Sequence, residues 1–290
     1  MYSHKLEEDC KCLVRKRAGI ERRIDRQLNE GVESYRERYG KRRSRGERPF
    51  TIIAEGDSWF RYGAGFAIIY YLERLLDTEI LNLAKPGDEV RAMLTGKQLK
   101  RLRRELKRGP SRNTKYDFLL FSGGGNDLVG EDTFYKWLND YRKGMQPADV
   151  INHMTLDCAL QFVEVGYRDL LLARRENSPK THVLLHSYDF AWPNGEGVCW
   201  LGPWLEPGLK QRKVPAKMRR EVVRLFLLQF DAMLQRLADG ERDVYVVPTQ
   251  GTLEKESQWA NELHPRNAGF KQIARKFADL INAIEPRESP

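Results

Sequence analysis

A serine stands directly behind an apolar run near the start of the sequence. The segment "FTIIAEGDSWF" is apolar up to Ala54 and breaks at Gly56, Asp57 and Ser58. The apolar run predicts a buried strand, and the Gly-Asp-Ser triplet predicts its abrupt end. A simple turn would use the same three residue types. The chemical alternative is that Ser58 is a nucleophile, because open α/β sheets hold their ligands at the carboxyl ends of parallel strands.

The rest of the sequence predicts strands that alternate with helices. Apolar runs predict five strands, at 50–55, 79–84, 116–127, 181–187 and 243–248. Helical periodicity is found between and after them, at 65–77, roughly 88–108, about 156–170, about 216–238 and about 270–281. Such alternation argues for an α/β fold in which helices cover both faces of a parallel sheet.

Small and polar residues collect directly after the predicted strands. The first strand ends in "GDSWF", the second in "NLAKPGD" and the third in "SGGGND", while "WANELHPRNAGF" (259–270) follows the fifth. Because the carboxyl ends of parallel strands meet at one edge of a sheet, we expect these segments to lie close together and to form a site.

Four of these segments resemble the motif blocks of the SGNH hydrolases, the GDSL-type esterase and lipase superfamily. They occur in the family's order, and the match covers roughly residues 50–285. The resemblance implies a flavodoxin-like three-layer α/β/α sandwich with a five-stranded parallel sheet. It also implies ester hydrolysis with Ser58 as nucleophile and His264 as general base. The oxyanion donors would be the backbone N–H of Ser58, the backbone N–H of Gly87 and the side chain of Asn126.

The chemistry requires groups of these types. A serine hydroxyl is a weak nucleophile and needs a base within hydrogen-bond reach. An imidazole such as that of His264 titrates near neutral pH, so it can take the proton and return it to the leaving group. Each donor aimed at the oxyanion is typically worth ~3–4 kcal/mol. We predict neither a metal nor a cofactor.

One position departs from the family pattern. The last block of the family usually reads Asp-x-x-His, whereas Asn261 stands three residues before His264. An aspartate would orient the imidazole and stabilise the imidazolium. Asn261 could accept the Nδ1–H bond and fix the tautomer without supplying the charge. Its neighbour Glu262 is expected to point elsewhere, and a backbone carbonyl could also orient the ring.

His186 is the competing candidate for the base, because "HSYDF" places it at the active edge of the fourth strand. We favour His264, since a short His-Pro turn that opens a helix suits a projecting imidazole. His186 and Asp189 are interpreted as pocket lining or as satisfied polar groups. Asp57 is interpreted as a turn or capping residue.

Two insertions, near 130–150 and 188–213, are predicted to cover the site. The second is too long and too aromatic for a simple connection. Aromatic side chains there could form an acyl pocket or stack on a sugar ring, and they could equally form a small core that only stabilises the loop. The candidate pocket residues are Trp59, His186, Tyr188, Trp192, Trp200 and Trp204.

The N-terminal segment is basic. The chain has 290 residues and a net charge of +9, and residues 1–48 carry 15 Lys and Arg against nine Asp and Glu. We divide the chain into a basic helical arm with a linker (1–48) and an SGNH hydrolase-like domain (49–290). The apolar residues Ile20, Ile24, Leu28, Val32 and Tyr35 recur at helical spacing, which predicts a helix whose stripe covers the domain or a second copy of the chain. The densest basic part, 40–49, is interpreted as a solvated linker rather than a nucleic-acid site.

Three functions are consistent with the sequence. The first, which we favour, is a cytoplasmic serine esterase without a membrane span, acting on an ester of a lipid, an acetylated sugar or a small metabolite. The second is a relative with the same fold that binds a ligand without turnover. The third is a nucleic-acid- or partner-binding protein that uses the basic arm.

Overall fold

The structure is a computed structural model that describes residues 2–62, 66–130, 133–198 and 202–286, with side chains described from residue 23 onward. Contacts divide the chain into two compact units, Met1–Arg48 and Pro49–Pro290. Among the described residues, no helix combines the length and the hydropathy that crossing a bilayer requires.

The first unit consists of one long helix, α1 (Tyr2–Ser44). A helix was predicted here from the apolar spacing. It also extends through the first half of the basic segment 40–49, interpreted from the sequence as a linker, and residues 45–51 connect it to the first strand. Three cations, Lys41, Arg42 and Arg43, occupy its last turn, where they interact favourably with the unpaired carbonyls of the helix end.

The second unit contains a five-stranded sheet of parallel strands in the order β2-β1-β3-β4-β5. The strands are β1 (Ile52–Gly56), β2 (Ile80–Asn82), β3 (Phe118–Ser122), β4 (His182–His186) and β5 (Val244–Val247). β1 and β3 are buried along their whole length, which explains why they appear in the sequence as continuous apolar runs. The α/β class and the parallel sheet predicted from the sequence are confirmed.

Helices cover both faces of this sheet. They are α2 (Ile68–Leu75), α3 (Val90–Met93), α4 (Gly96–Arg108), α5 (Gly125–Leu128), α6 (Pro147–Val150), α7 (His153–Asn177), α8 (Glu206–Gln211), α9 (Ala216–Asp239) and α10 (Asn267–Ile284). Because crossovers between parallel strands are right-handed, the order of the strands places α4, α7 and α9 on one face. α2 and α10 pack against each other on the opposite face.

The register of β1 and β3 brings two of the predicted motifs together. Gly56 at the end of β1 pairs with Ser122 at the end of β3. A Cβ atom on Gly56 would lie only 2.7 Å from the carbonyl oxygen of Ser122, so only glycine allows this approach. The "GDSW" and "GGGND" segments therefore leave the sheet side by side.

The two predicted insertions contact each other. The described part of the first contains a 3₁₀ turn, Phe134–Trp137, and the second contains α8. Arg212, directly after α8, donates a hydrogen bond to the carbonyl of Tyr135 at 2.9 Å and forms an ion pair with Asp140 at 3.1 Å.

Candidate active site

The hydroxyl of Ser58 lies next to the imidazole of His264. The two residues are 206 positions apart in the chain, and Ser58 Oγ is 2.8 Å from His264 Nε2. Ser58 stands in the turn after β1, and His264 lies in the turn that precedes α10. The side chain of Trp59 contributes to this arrangement, because its indole N–H donates to the carbonyl of Leu263 at 3.0 Å.

Asn261 fixes the orientation of the imidazole. Its Oδ1 lies 3.0 Å from His264 Nδ1 and also accepts the backbone N–H groups of Leu263 and His264, both at 3.0 Å. Two backbone donors require an oxygen at this position, so the amide cannot be reversed without losing both bonds. Nδ1 therefore carries the proton, and Nε2 presents its lone pair to Ser58.

His264 is buried, with 7% of the residue's surface exposed. Burial lowers the pKa of His264 to about 3. The ring is thus neutral at pH 7 and able to accept a proton, but its charged form lacks the carboxylate that would offset the loss of hydration.

Tyr62 stacks on the same imidazole. The ring centroids are 4.1 Å apart and the two planes differ by 15°. The phenol oxygen of Tyr62 accepts a hydrogen bond from Asn261 Nδ2 at 3.1 Å. The ring of Trp204 also lies near the imidazole, with centroids 6.1 Å apart and an interplanar angle of 77°.

The two predicted oxyanion donors from other strands are placed differently. Asn126, in α5, lines the same pocket as Ser58 and His264, and its Nδ2 donates one hydrogen bond to the carbonyl of Asp88 at 2.9 Å. The same nitrogen carries a second N–H. Gly87 adopts a positive φ of 78° in the turn after β2 but is not among the residues that line this pocket.

Asp57 belongs to a buried hydrogen-bond network. Its carboxylate accepts the hydroxyl of Tyr188 at 2.6 Å, the hydroxyl of Ser122 at 2.8 Å and the backbone N–H of Trp59 at 3.0 Å. Burial raises the pKa of Asp57 to about 6, although these bonds act in the opposite direction. The hydroxyl of Tyr188 also accepts the backbone N–H of Gly125 at 3.0 Å, so it connects the serine turn to the start of α5.

His186, the competing candidate for the base, is part of this network. It is fully buried, and its Nε2 lies 2.9 Å from the hydroxyl of Ser122. Its Nδ1 accepts the backbone N–H of Tyr188. Burial lowers the pKa of His186 to about 3. His264, rather than His186, is the histidine hydrogen-bonded to Ser58.

The pocket at Ser58 has a largely apolar wall. It encloses about 500 Å³, including its open mouth. Its lining consists of Asp57, Ser58, Trp59, Gly125, Asn126, Val129, Tyr188, Asp189, Ala191, Val223, Leu227, Leu263 and His264. Of the six pocket residues suggested by the sequence, Trp59 and Tyr188 line it.

Two of the tryptophans of the second insertion, Trp192 and Trp204, do not line this pocket. The ring of Trp204 lies nearly perpendicular to that of His264. Trp192 lies under the guanidinium of Arg220, at 3.7 Å from its carbon to the ring centroid. Trp200 lies outside the described residues.

Glu262 anchors the second insertion. It is fully buried and points away from His264, as the sequence suggested. Its two oxygens accept four backbone N–H groups at 2.6–3.1 Å, from Gly195, Trp204, Leu205 and Glu206. Burial raises the pKa of Glu262, and the four donors act in the opposite direction. The turn that carries His264 and the insertion are therefore joined through one carboxylate.

We expect Glu262→Gln to loosen this insertion. An amide offers one acceptor oxygen instead of two and turns an NH₂ group toward backbone donors. The free energy of unfolding should fall by roughly 2–3 kcal/mol. Amide hydrogen exchange at Trp204 and Leu205 should accelerate, which mass spectrometry can follow. Glu254→Gln, at an exposed glutamate, is the control, and equal exchange in both variants would contradict the anchoring role.

Asp189 plays a similar structural role. Its carboxylate accepts the backbone N–H groups of Phe190, Gly251 and Leu253 at 2.6–2.7 Å, and so connects the segment after β4 to the one after β5. Among the side chains that the structure describes, no three His, Cys, Asp or Glu cluster in a way that could hold a metal ion.

Several residues of the site were not predicted from the sequence. Tyr62 lies in a loop four positions after Ser58, and no motif distinguishes it. The apolar wall of the pocket comes partly from Val223 and Leu227, which look like ordinary core positions of α9 in the sequence. Only their proximity to the serine in three dimensions makes them candidates for contact with a ligand.

Comparison with known proteins finds similarity in structure only. No protein-family model and no curated protein matches the sequence. Similar solved structures include phospholipase A1 from Streptomyces albidoflavus NA297, at 13% identity, covering 80% of this chain and 99% of that one, with a TM-score of 0.49. A family 3 carbohydrate esterase from Clostridium thermocellum is 14% identical, with coverage of 82% and 99% and a TM-score of 0.48. A protein from Slackia heliotrinireducens that is assigned to the SGNH hydrolases is 13% identical, with coverage of 80% and 98% and a TM-score of 0.47. Each of these three solved proteins aligns with this chain over nearly its whole length.

Proposed function

We propose that this chain is a serine ester hydrolase of the SGNH type. The observation that carries the proposal is the 2.8 Å contact between Ser58 Oγ and His264 Nε2, in a pocket that Asn126 also lines. The hydroxyl, the imidazole and the amide come from three different segments, which follow β1, β5 and β3 at the same edge of the sheet. A core packed for stability alone has no need to bring these three groups to an open pocket.

The first half of the reaction would form an acyl-enzyme. Ser58 Oγ attacks the carbonyl carbon of the ester while its proton passes to His264 Nε2. The carbonyl π electrons move to oxygen, where the backbone N–H of Ser58 and the amide of Asn126 can donate. When the tetrahedral intermediate collapses, the bond to the alcohol oxygen breaks, and the imidazolium returns its proton to that oxygen.

The second half would use water. His264 takes a proton from a water molecule whose oxygen attacks the acyl carbon, and it returns that proton to Ser58 Oγ as the carboxylic acid leaves. In both halves the imidazole is transiently charged. With Asn261 as its partner, we expect turnover to be slower than with an aspartate, because the amide orients the ring but carries no negative charge.

The apolar wall of the pocket favours an ester with an apolar acyl group. Val129, Val223, Leu227 and Leu263 line the space next to Ser58. A buried hydrocarbon chain gains about 0.8 kcal/mol per CH₂ group, whereas a polar acyl group would need hydrogen bonds that such a wall does not offer.

Covalent labelling of the serine tests the proposal. A fluorophosphonate probe should modify wild-type protein at Ser58, identified by mass spectrometry of the peptide, and the label should be absent in His264→Ala. Ser257→Ala, at an exposed serine, should label like wild type. Folded wild-type protein without a label at Ser58 would contradict the proposal. That result would favour the second candidate, a relative with the same fold that binds a ligand without turnover. The absence of a carboxylate at position 261 supports this candidate.

A further inference from the structure

The face of one aromatic ring lies against the imidazole that must become charged. Tyr62 and His264 are stacked with centroids 4.1 Å apart and an interplanar angle of 15°. The phenol is held in place by the bond that its oxygen accepts from Asn261 Nδ2. The stack is therefore held by Asn261, the residue that stands where the SGNH hydrolases usually have an aspartate.

We infer that Tyr62 stabilises the protonated form of His264 and so replaces part of the contribution of the missing carboxylate. The inference rests on the proposed function, because only turnover requires the imidazolium. In this role Tyr62 is a positioning residue that acts through His264 and does not itself need to touch the substrate.

The physical basis is the charge distribution of an aromatic ring. Its face is negative, and a cation within about 6 Å of the centroid is attracted to it. The attraction is larger at sites that exclude water, and His264 is 7% exposed. A neutral imidazole gains much less from the same contact. The stack thus favours the transition state over the resting state, which is the condition for a catalytic effect.

The charged groups near His264, either in the chain or in the same pocket, are engaged elsewhere. The carboxylate of Glu262 is bound by four backbone N–H groups of the second insertion. Asp57 receives the hydroxyls of Tyr188 and Ser122. Arg266 donates to the carbonyl of Ser257. Burial lowers the pKa of His264, which increases the importance of any group that favours the cation.

Two variants of Tyr62 separate the ring face from the hydroxyl. Tyr62→Phe keeps the face and removes the bond to Asn261, whose amide is still fixed by the backbone N–H groups of Leu263 and His264. Tyr62→Leu removes both. Tyr71→Leu, at a half-buried tyrosine of the neighbouring helix α2, is the matched control for the loss of an aromatic side chain.

The measurements are the rate constant for phosphonylation of Ser58 by a fluorophosphonate, and kcat and KM for p-nitrophenyl butyrate. We expect Tyr62→Leu to lower the phosphonylation rate and kcat about tenfold, with KM changed less than about twofold. Tyr62→Phe should retain most of both rates. Tyr71→Leu should match wild type.

The outcomes distinguish this inference from the proposed function. If wild type is labelled and hydrolyses the ester while Tyr62→Leu equals it, the inference fails and the proposed function stands. If Tyr62→Phe is as slow as Tyr62→Leu, or if the loss appears only in KM, stabilisation by the ring face is refuted. A wild type without label or hydrolysis overturns the proposed function and, with it, the role of Tyr62.

Discussion

Ser58→Ala is expected to lower kcat for a p-nitrophenyl ester by at least about 10⁴-fold. The variant lacks the side-chain oxygen that would form the acyl-enzyme. The loss of one hydroxyl leaves only a small space, so the fold should be unaffected. His264→Ala should cost about as much, because the hydroxyl of Ser58 would lose its proton acceptor at 2.8 Å. Initial rates and circular dichroism of each variant are the measurements.

The double variant provides the stricter test. Groups that act as one unit are strongly non-additive, so Ser58→Ala with His264→Ala should be no slower than either single variant, to within about threefold. Ser257→Ala should retain the wild-type rate. Residual activity in Ser58→Ala close to that of wild type would show that the hydrolysis does not pass through this serine.

The parts of the fold that could be predicted from the sequence are those fixed by burial. β1 and β3 are buried on both faces and therefore contain the apolar runs "IIA" and "FLLF". The helices α7 and α9 bury one side each, and their periodicity is visible. The region 88–108 was less well predicted. It is divided into α3 and α4, and a positive φ of 52° at Gly96 marks the break.

The site was predictable only where side chains of distinctive chemistry follow strands. Ser58 and His264 could be found in this way, because the topology brings strand ends together. The role of Glu262 could not be predicted in this way, because its partners are four backbone N–H groups, and every sequence contains such groups. The stack of Tyr62 depends on the course of a loop. Both histidines are buried, and only the folded chain shows that His264, and not His186, lies within hydrogen-bond distance of Ser58.

Asn261→Asp is expected to move the acid limb of kcat/KM to higher pH by roughly one to three units, the range in which a neighbouring opposite charge shifts a pKa. The proposed reaction requires neutral His264, whose pKa is lowered to about 3 by burial. In wild type the activity is therefore lost only as the pH falls through that low value. A carboxylate at 3.0 Å from Nδ1 favours the imidazolium and raises the pKa, so protonation inactivates the variant at a higher pH.

Above this limb the same charge should accelerate the reaction. Each 1.36 kcal/mol gained by the transient imidazolium is a factor of ten, and we expect kcat at pH 8 to rise by roughly 10–100-fold. The position can accept a carboxylate, because the backbone N–H groups of Leu263 and His264 already point at Oδ1, and the hydroxyl of Tyr62 can turn to donate to the second oxygen.

Asn261→Ala is the control at the same position. It removes the acceptor of Nδ1–H and leaves two backbone N–H groups without their partner, so kcat and the free energy of unfolding should both fall. We expect kcat to rise in the Asp variant and to fall in the Ala variant, and the acid limb to move only in the Asp variant. This combination would identify negative charge as the property that the site lacks. If the Asp variant kept the wild-type pH profile, the residue at position 261 would not control the protonation of His264, and the proposed coupling between the two would be wrong.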